Sequence, residues 1–335
     1  MLNVLLLADN KPASIGGVER HCDNIMKLFF LDKRFSFSCF SKENFKHIHV
    51  KFINKQICSF VDVYVKIKKT NFDVYHIHGF ASFVVFQFLF VCVLLKKKIV
   101  YTPHYHPFSY LEKPLLGRLF FFFFLKPLIS KVKCIIAINN DNYLFFSKYN
   151  SNVVLIPNWL DQDVDYDSIV LSKANVEYNS LLFVGRADAN KGYDHILSLP
   201  DNQFKIKCVT TTRNRKRNIT YLEKITDKEL SDLYLKSNVV VVPSRYEGFS
   251  YVVLEALFHG TPVLLSDRVH IIDFISKKIE AIEIFKYGDY NDFQFKLKKM
   301  LAANIVMDKV DFEMIKFIFD KEKIKAVLIT VYMNC

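Results

Sequence analysis

A chain of 335 residues with 51% apolar residues and no long repeat or disordered tail carries material for two cores of about 150 residues each rather than one compact domain. Its net charge of +12 is spread along the chain, which suits phosphates or an anionic lipid surface and leaves nucleic acid as a lesser alternative. Seven cysteines without a C-x-x-C pair read as reduced thiols rather than a disulfide framework, and no secretory leader pattern opens the chain, so a cytoplasmic protein is expected.

Strand-like runs at 4–8, 35–40, 74–77, 99–102, 135–138 and 153–156 alternate with helical segments, the pattern of a parallel sheet covered on both faces. Within this half, 80–95 is apolar apart from Ser82 and Gln87 and is followed by three lysines. At 1.5 Å per residue it reaches about 24 Å against a hydrocarbon thickness near 30 Å, so it reads as a crossover helix, not a membrane span. The run 119–125, with five phenylalanines from Phe120 to Phe124 between Arg118 and Lys126, fits either a core helix or a surface patch that dips into lipid. A polar stretch, 161–178, reads as a linker, and the alternating Asp161, Asp163, Asp165 and Asp167 within it as solvated rather than as a metal-binding D-x-D pair.

Alternation resumes at 181–185, 204–209, 218–222, 239–242, 263–266 and 281–284, which predicts a second sheet. The domains expected are 1–160 and 161–318, followed by a C-terminal segment, 319–335. Folds of this kind bind ligands beyond the carboxyl ends of their strands, so residues just past those strands are the site candidates. No G-x-G occurs, which removes the main support for a dinucleotide-dependent dehydrogenase.

The most informative stretch is 243–268, PSRYEGFSYVVLEALFHGTPVLLSDR. A buried strand stops at Pro243, Gly248 lies in a turn, and a helix runs from Tyr251 until Gly260 and Pro262 end it. Such a turn aims backbone N–H groups and a positive helix end at an anion. Glu247 then faces the ligand from the loop, and Glu255 stands about two turns deeper. Earlier come Gly16-Gly17-Val18-Glu19, Asp73-Val74-Tyr75-His76-Ile77-His78-Gly79, Thr102-Pro103-His104, Ile156-Pro157-Asn158 and Phe183-Val184-Gly185-Arg186, with Lys191-Gly192 following. In this order the segments resemble the family-four retaining glycosyltransferases, and 319–324 resembles that family's last helix.

The resemblance implies an α/β protein of the GT-B type, two Rossmann-like domains facing each other across a cleft, with 1–160 on the acceptor side, 161–318 binding the nucleotide sugar, and a C-terminal helix over 319–335 packing back on the first domain. It implies transfer of a hexosyl group from a nucleoside diphosphate sugar, with no other cofactor and no metal, to a glycan or lipid-linked glycan hydroxyl. Arg186 and Lys191 would hold the diphosphate, whose charge grows as the glycosidic bond breaks, so fixed cations there stabilise the transition state over the ground state. Glu247 and His104 would contact the donor sugar, with Glu247 holding hydroxyls rather than attacking, and Glu255 would accept from a ribose. Gly16, Gly17, Gly248 and Phe249 complete the donor set, and Glu19 and His78 stand on the acceptor side. By its residues alone, His78 is open between a ligand-facing strand end and a satisfied core histidine. The pairs His47/His49, His76/His78 and His104/His106 lack a Cys or carboxylate partner at metal-site spacing. Trp159 stands where the family has glycine, and 210–217, TTTRNRKR, replaces its glycine-rich turn, which leaves the base of the nucleotide open. A nucleotide-sugar epimerase of similar shape, or an idle homologue that binds glycan or membrane, are the alternative readings.

Overall fold

The computed structural model describes the chain apart from residues 13–15, 51–54, 80–81, 105–117, 163, 174–175, 202, 213–215 and 276–278. It divides into two compact units, Met1–Asp161 with Lys321–Cys335, and Gln162–Asp320.

The first unit contains β1 (Leu2–Leu7), β2 (Phe35–Phe40), β3 (His47–Val50), β4 (Lys55–Cys58), β5 (Val74–His78), β6 (Ile99–Thr102), β7 (Cys134–Ala137) and β8 (Val153–Leu155). Six form a sheet in the order β2-β1-β5-β6-β7-β8, and every pairing within it is parallel. Parallel strands need crossovers that cover both faces, and alternate residues divide accordingly. Leu5, Leu7, Tyr75, Ile77 and Tyr101 enter one core with the helix Phe83–Leu94. Val4, Leu6, Val74, Val100 and Ile136 enter the other with the helix Gly17–Phe29. That second core also takes Ile324, Leu328, Val331 and Tyr332 of the helix Lys321–Met333, spaced to lie on one helical face.

The two polar interruptions of the apolar run 80–95 have structural partners. Ser82 caps the helix by accepting from Val84 N–H, and the Gln87 side-chain amide donates to the Cys58 carbonyl at 2.9 Å. Cys58 ends β4, which pairs antiparallel with β3, a hairpin that the sequence reading does not anticipate because its strands, HIHV and KQIC, carry no continuous apolar run. Among the described residues no helix is long and apolar enough to cross a membrane.

The second unit contains β9 (Ser180–Val184), β10 (Lys205–Val209), β11 (Ile219–Leu222), β12 (Val239–Val242), β13 (Val263–Ser266) and β14 (Ile282–Phe285). They form an all-parallel sheet ordered β11-β10-β9-β12-β13-β14, the doubly wound arrangement of a nucleotide-binding fold. The stretch expected as a linker contains a helix, Tyr166–Ser172, because Asp165 caps it through Ser168 N–H and Ile169 buries beneath it. Asp161 and Asp167 meet Lys321 and Lys309, and Asp163 lies outside the described residues.

Gly192 pins two loops of this unit together. It sits at φ 65, and a Cβ there would stand 1.8 Å from the Pro243 carbonyl oxygen. Gly17, by contrast, has nothing within 4 Å of an added Cβ. Gly192→Ala is expected to lower stability by at least about 2 kcal/mol in urea denaturation, with Gly17→Ala within about 0.5 kcal/mol of the parent; equal midpoints for the two variants would contradict this.

Candidate functional site

In each sheet the strand order reverses once, between β1 and β5 in the first and between β9 and β12 in the second, and a crevice opens beyond the carboxyl ends at such a point. The candidate residues collect at these two places.

In the second unit β9 leads through Gly185 to Arg186, whose Nε lies 3.3 Å from Asp188 Oδ2. The other Asp188 oxygen caps the next turn, accepting from Lys191 N–H at 2.9 Å. From β12 the chain passes Pro243 and Ser244 to Glu247. Lys191 Nζ pairs directly with Glu247 Oε1, which also accepts from Ser244 Oγ at 3.1 Å. The Glu247 backbone is fixed on both sides, its N–H donating to the Arg268 carbonyl and its carbonyl accepting from His270 N–H, both at 3.1 Å. Arg245 N–H donates to the Asn190 carbonyl at 2.8 Å, so the loops after β9 and β12 are tied by backbone as well as by charge. Arg186 has 68% of its side chain exposed against 29% for Lys191 and 13% for Glu247, which leaves the guanidinium open to solvent and the pair half-sheltered.

Gly248 is buried in the turn before the helix Tyr251–Phe258, which Ser250 caps through Val253 N–H. Phe249 is buried against the rings of Tyr251, Phe274 and Phe319, so it braces the turn by packing. Glu255 lies on the buried side of the helix and accepts from Tyr234 OH at 2.7 Å. In the loop 210–217, Lys216 ion-pairs with Asp201 and donates to the Leu199 carbonyl, while 213–215 lie outside the described residues.

At the switch point of the first unit, Gly16 precedes the helix Gly17–Phe29, and Glu19 in its first turn folds back over it. A Cβ on Gly16 would meet Glu19 Oε2 at 2.1 Å. Glu19 is buried, accepts from the Asn10 side-chain amide at 2.7 Å, and lies where the helix dipole favours a carboxylate. His78 ends β5, and His104 follows β6 with φ 61, a left-handed conformation that is strained for a residue with a Cβ. His78 Nδ1 stands 3.3 Å from His104 Nε2.

His21, which the sequence reading passes over, joins them from the first helix. Its ring centroid is 5.5 Å from that of His78, 4.9 Å from His104 and 5.3 Å from Trp159. The signal was available, since His21 is one helical turn beyond Gly17 and therefore near the same end of the sheet. Trp159, in place of the family's glycine, is wholly buried and forms a wall of this cluster. His76, two residues before His78, is by contrast satisfied at both nitrogens, by Tyr332 OH and Thr102 Oγ1, each at 2.8 Å. His49 and His106 have side chains outside the described residues.

Burial pushes His21 down to about 4, with the Asn158 side chain opposing the shift. Burial, reinforced by repulsion from neighbouring imidazoles, holds His76, His78 and His104 well below the ordinary histidine value. All four are therefore neutral at physiological pH.

Comparison with known proteins agrees with this geometry. Residues 199–311 match the family described as Glycosyl transferases group 1. An uncharacterised 41.2 kDa protein in the cps region of Klebsiella pneumoniae is 29% identical over 261 residues, covering 69% of this chain and 70% of that protein. An uncharacterised glycosyltransferase of Methanocaldococcus jannaschii is 26% identical over 283 residues, 75% of each. Among solved structures, sucrose-phosphate synthase from Thermosynechococcus elongatus superposes with a TM-score of 0.76 at 16% identity, covering 100% of this chain and 99% of that one. Anabaena HepE in complex with UDP-glucose superposes at 0.72 and 14% identity, with complete coverage of both. The two doubly wound units have the GT-B fold, and the matched segment is similar to the group 1 glycosyl transferases.

The neutral histidines make the first unit acid-sensitive. A folded value depressed below the unfolded 6.5 leaves stability intact above pH 6.5 and removes it as pH falls towards 4, on the order of 3 kcal/mol for His21 alone at pH 4. Melts followed by fluorescence of Trp159, the chain's only tryptophan, are expected to shift down over this window, and less steeply in His21→Gln. A midpoint independent of pH between 7 and 4 would contradict the assignment.

Proposed function

We propose that the chain transfers a hexosyl group from a nucleoside diphosphate sugar, with UDP-glucose as the first donor to test, to a hydroxyl of a glycan or lipid-linked glycan precursor, with retention at the anomeric carbon as in the family-four enzymes. The observation that carries the reading is the joined set Arg186, Asp188, Lys191 and Glu247 at the switch point of the second sheet. An exposed guanidinium and a half-sheltered ammonium suit two phosphates, and Asp188 orients both of their loops. HepE, whose solved complex holds UDP-glucose, supports the donor class.

Lys191 is neutralised by Glu247 in the unliganded chain. An incoming diphosphate competes for the ammonium, and as Lys191 turns to phosphate it frees Glu247 for sugar hydroxyls. Donor binding is thus coupled to presentation of the carboxylate. As the leaving diphosphate gains charge, Arg186 and Lys191 stabilise it more than the ground state, and His104 would donate to the sugar from its fixed backbone. Glu255 serves the ribose, with Tyr234 OH holding its carboxylate in place. Glu19 and His78 lie on the acceptor side, where Gly16 and Gly17 let the backbone approach.

Calorimetry with UDP and UDP-glucose tests the set. Arg186→Ala is expected to weaken binding about tenfold or more, the worth of one charge-assisted hydrogen bond. Glu247→Gln is expected to tighten UDP several-fold, by releasing Lys191, while abolishing most turnover. Gly17→Ala, free of clashes in the unliganded chain, is expected to lose ligand affinity without losing stability. A folded parent that binds no nucleotide sugar sinks the transferase reading, and isomerisation without acceptor would establish the epimerase instead.

The acceptor reading has a surface to support it. Phe83, Phe90, Leu94, Leu119, Phe120, Phe122, Phe123 and Phe124 are exposed. Phe86 links Phe83, Phe90, Phe120 and Phe124 at centroid distances of 5.5–6.4 Å. The exposed Lys96, Lys98, Arg118, Lys126, Lys131 and Lys133 border the same elements. Apolar rings rimmed by cations fit an anionic bilayer, where a lipid-linked acceptor resides, with the protein on the cytoplasmic face. The Klebsiella relative in a cps region and the free thiols accord with this. Sedimentation with anionic phosphatidylglycerol vesicles is expected to pellet the parent, and Phe123→Ser with Phe124→Ser to release it. Equal pelleting of parent and double variant would remove the lipid-facing role.

A further inference from the structure

We propose that His21, His78 and His104 form a three-nitrogen site for a borderline divalent transition metal, with Zn2+ the chemistry that fits best and a fourth position left for an oxygen ligand. Three elements converge to build it: the helix Gly17–Phe29, the end of β5 and the segment after β6. One ring nitrogen from each histidine lies within 4.8 Å of the other two.

The spacing is close to what a tetrahedral ion requires. Zinc–nitrogen bonds of about 2.0–2.1 Å put ligand nitrogens about 3.3–3.4 Å apart. His78 Nδ1 and His104 Nε2 already face each other at 3.3 Å, which leaves His104 Nδ1–H for the donor sugar of the proposed function. The widest separation would have to contract by about 1.5 Å, within the reach of imidazole rotation about its side-chain bonds.

A second observation points to a missing ligand. Among the described residues, buried His21 has only the Asn158 side chain beside its ring nitrogens. A shared cation would take up one lone pair on each ring. The contrast with His76 is informative, because its two nitrogens are both hydrogen-bonded and it stands outside the set. Imidazole ligates through an unprotonated nitrogen, and among the described residues no cysteine or carboxylate belongs to the group. An all-imidazole set with an open position suits zinc, cobalt or nickel over magnesium or calcium, which prefer oxygen. Trp159 beside His21 supplies an apolar wall, which shields the site from competing water.

The 335-residue chain, stripped with chelator, would be titrated with Co2+ and Zn2+ alone. One equivalent of Co2+ is expected to give the visible absorption of a four-coordinate centre, displaced by Zn2+, and His21→Gln or His78→Gln to weaken binding at least a hundredfold while keeping the parent's circular dichroism. Since either variant could fail to fold, X-ray absorption on the zinc-loaded parent reads the site directly, with three imidazole nitrogens at about 2.0–2.1 Å expected. Substoichiometric uptake by the folded parent, undiminished binding in a folded variant, or fewer than three imidazoles would each overturn the proposal.

Discussion

Every strand of both large sheets runs parallel to its neighbours, and this constraint governs the rest of the molecule. A parallel connection must cross the sheet, so both faces are covered by helices and all carboxyl ends emerge on one edge. Side chains within the strands are therefore committed to core, alternately to one face or the other, as Leu5 and Leu6 show. Polar chemistry is left to the residues immediately after the strands. Where the strand order reverses, two such segments diverge and leave room for a ligand. Gly16 and His78 occupy that position in one unit, Arg186 and Glu247 in the other.

The two switch points handle buried polarity differently. In the second unit opposite charges meet, Lys191 with Glu247 and Arg186 with Asp188, so each ion is compensated before any ligand arrives. Such pairs are held in place yet exchangeable, since a phosphate offers Lys191 what the carboxylate offers it. In the first unit the polar groups are imidazoles, and burial holds them neutral. Neutral rings avoid the desolvation penalty of ions but leave lone pairs to be satisfied. Tyr332 and Thr102 do this for His76. The C-terminal helix that supplies Tyr332 thus completes a polar network as well as a hydrophobic face.

Much of the fold was legible before any coordinates. All twelve strands of the two large sheets fall within a residue or two of the apolar runs that announced them, because a strand buried on both faces is a short continuous apolar segment bounded by breakers. Gly260 and Pro262 likewise marked the end of the helix Tyr251–Phe258. The hairpin formed by β3 and β4 was not legible, since its strands, HIHV and KQIC, mix polar and apolar residues and carry no continuous apolar run. Nor was the helix Tyr166–Ser172 within an acidic stretch, where the decisive Asp165 cap looks like any solvated aspartate. For the candidate site, Arg186, Lys191, Glu247, Gly16 and His104 were named because their segments, which follow strands, resemble those of a glycosyltransferase family. Lys191 and Glu247 were assigned to different parts of a donor, whereas the folded chain sets them against each other.

The sequence by itself determined the fold class, the division into two sheets and the edge on which chemistry could sit, because periodicity and breakers are local and each strand's burial is written in its own residues. Only the tertiary structure decided which distant residues meet. His21, His78 and His104 come from a helix and two separate strand ends, and Tyr332 reaches His76 across 256 positions of chain. Glu255 finds Tyr234 for the same reason: partners in a polar network are set by the order in which strands assemble, and that order is a property of the whole sheet rather than of any window of sequence.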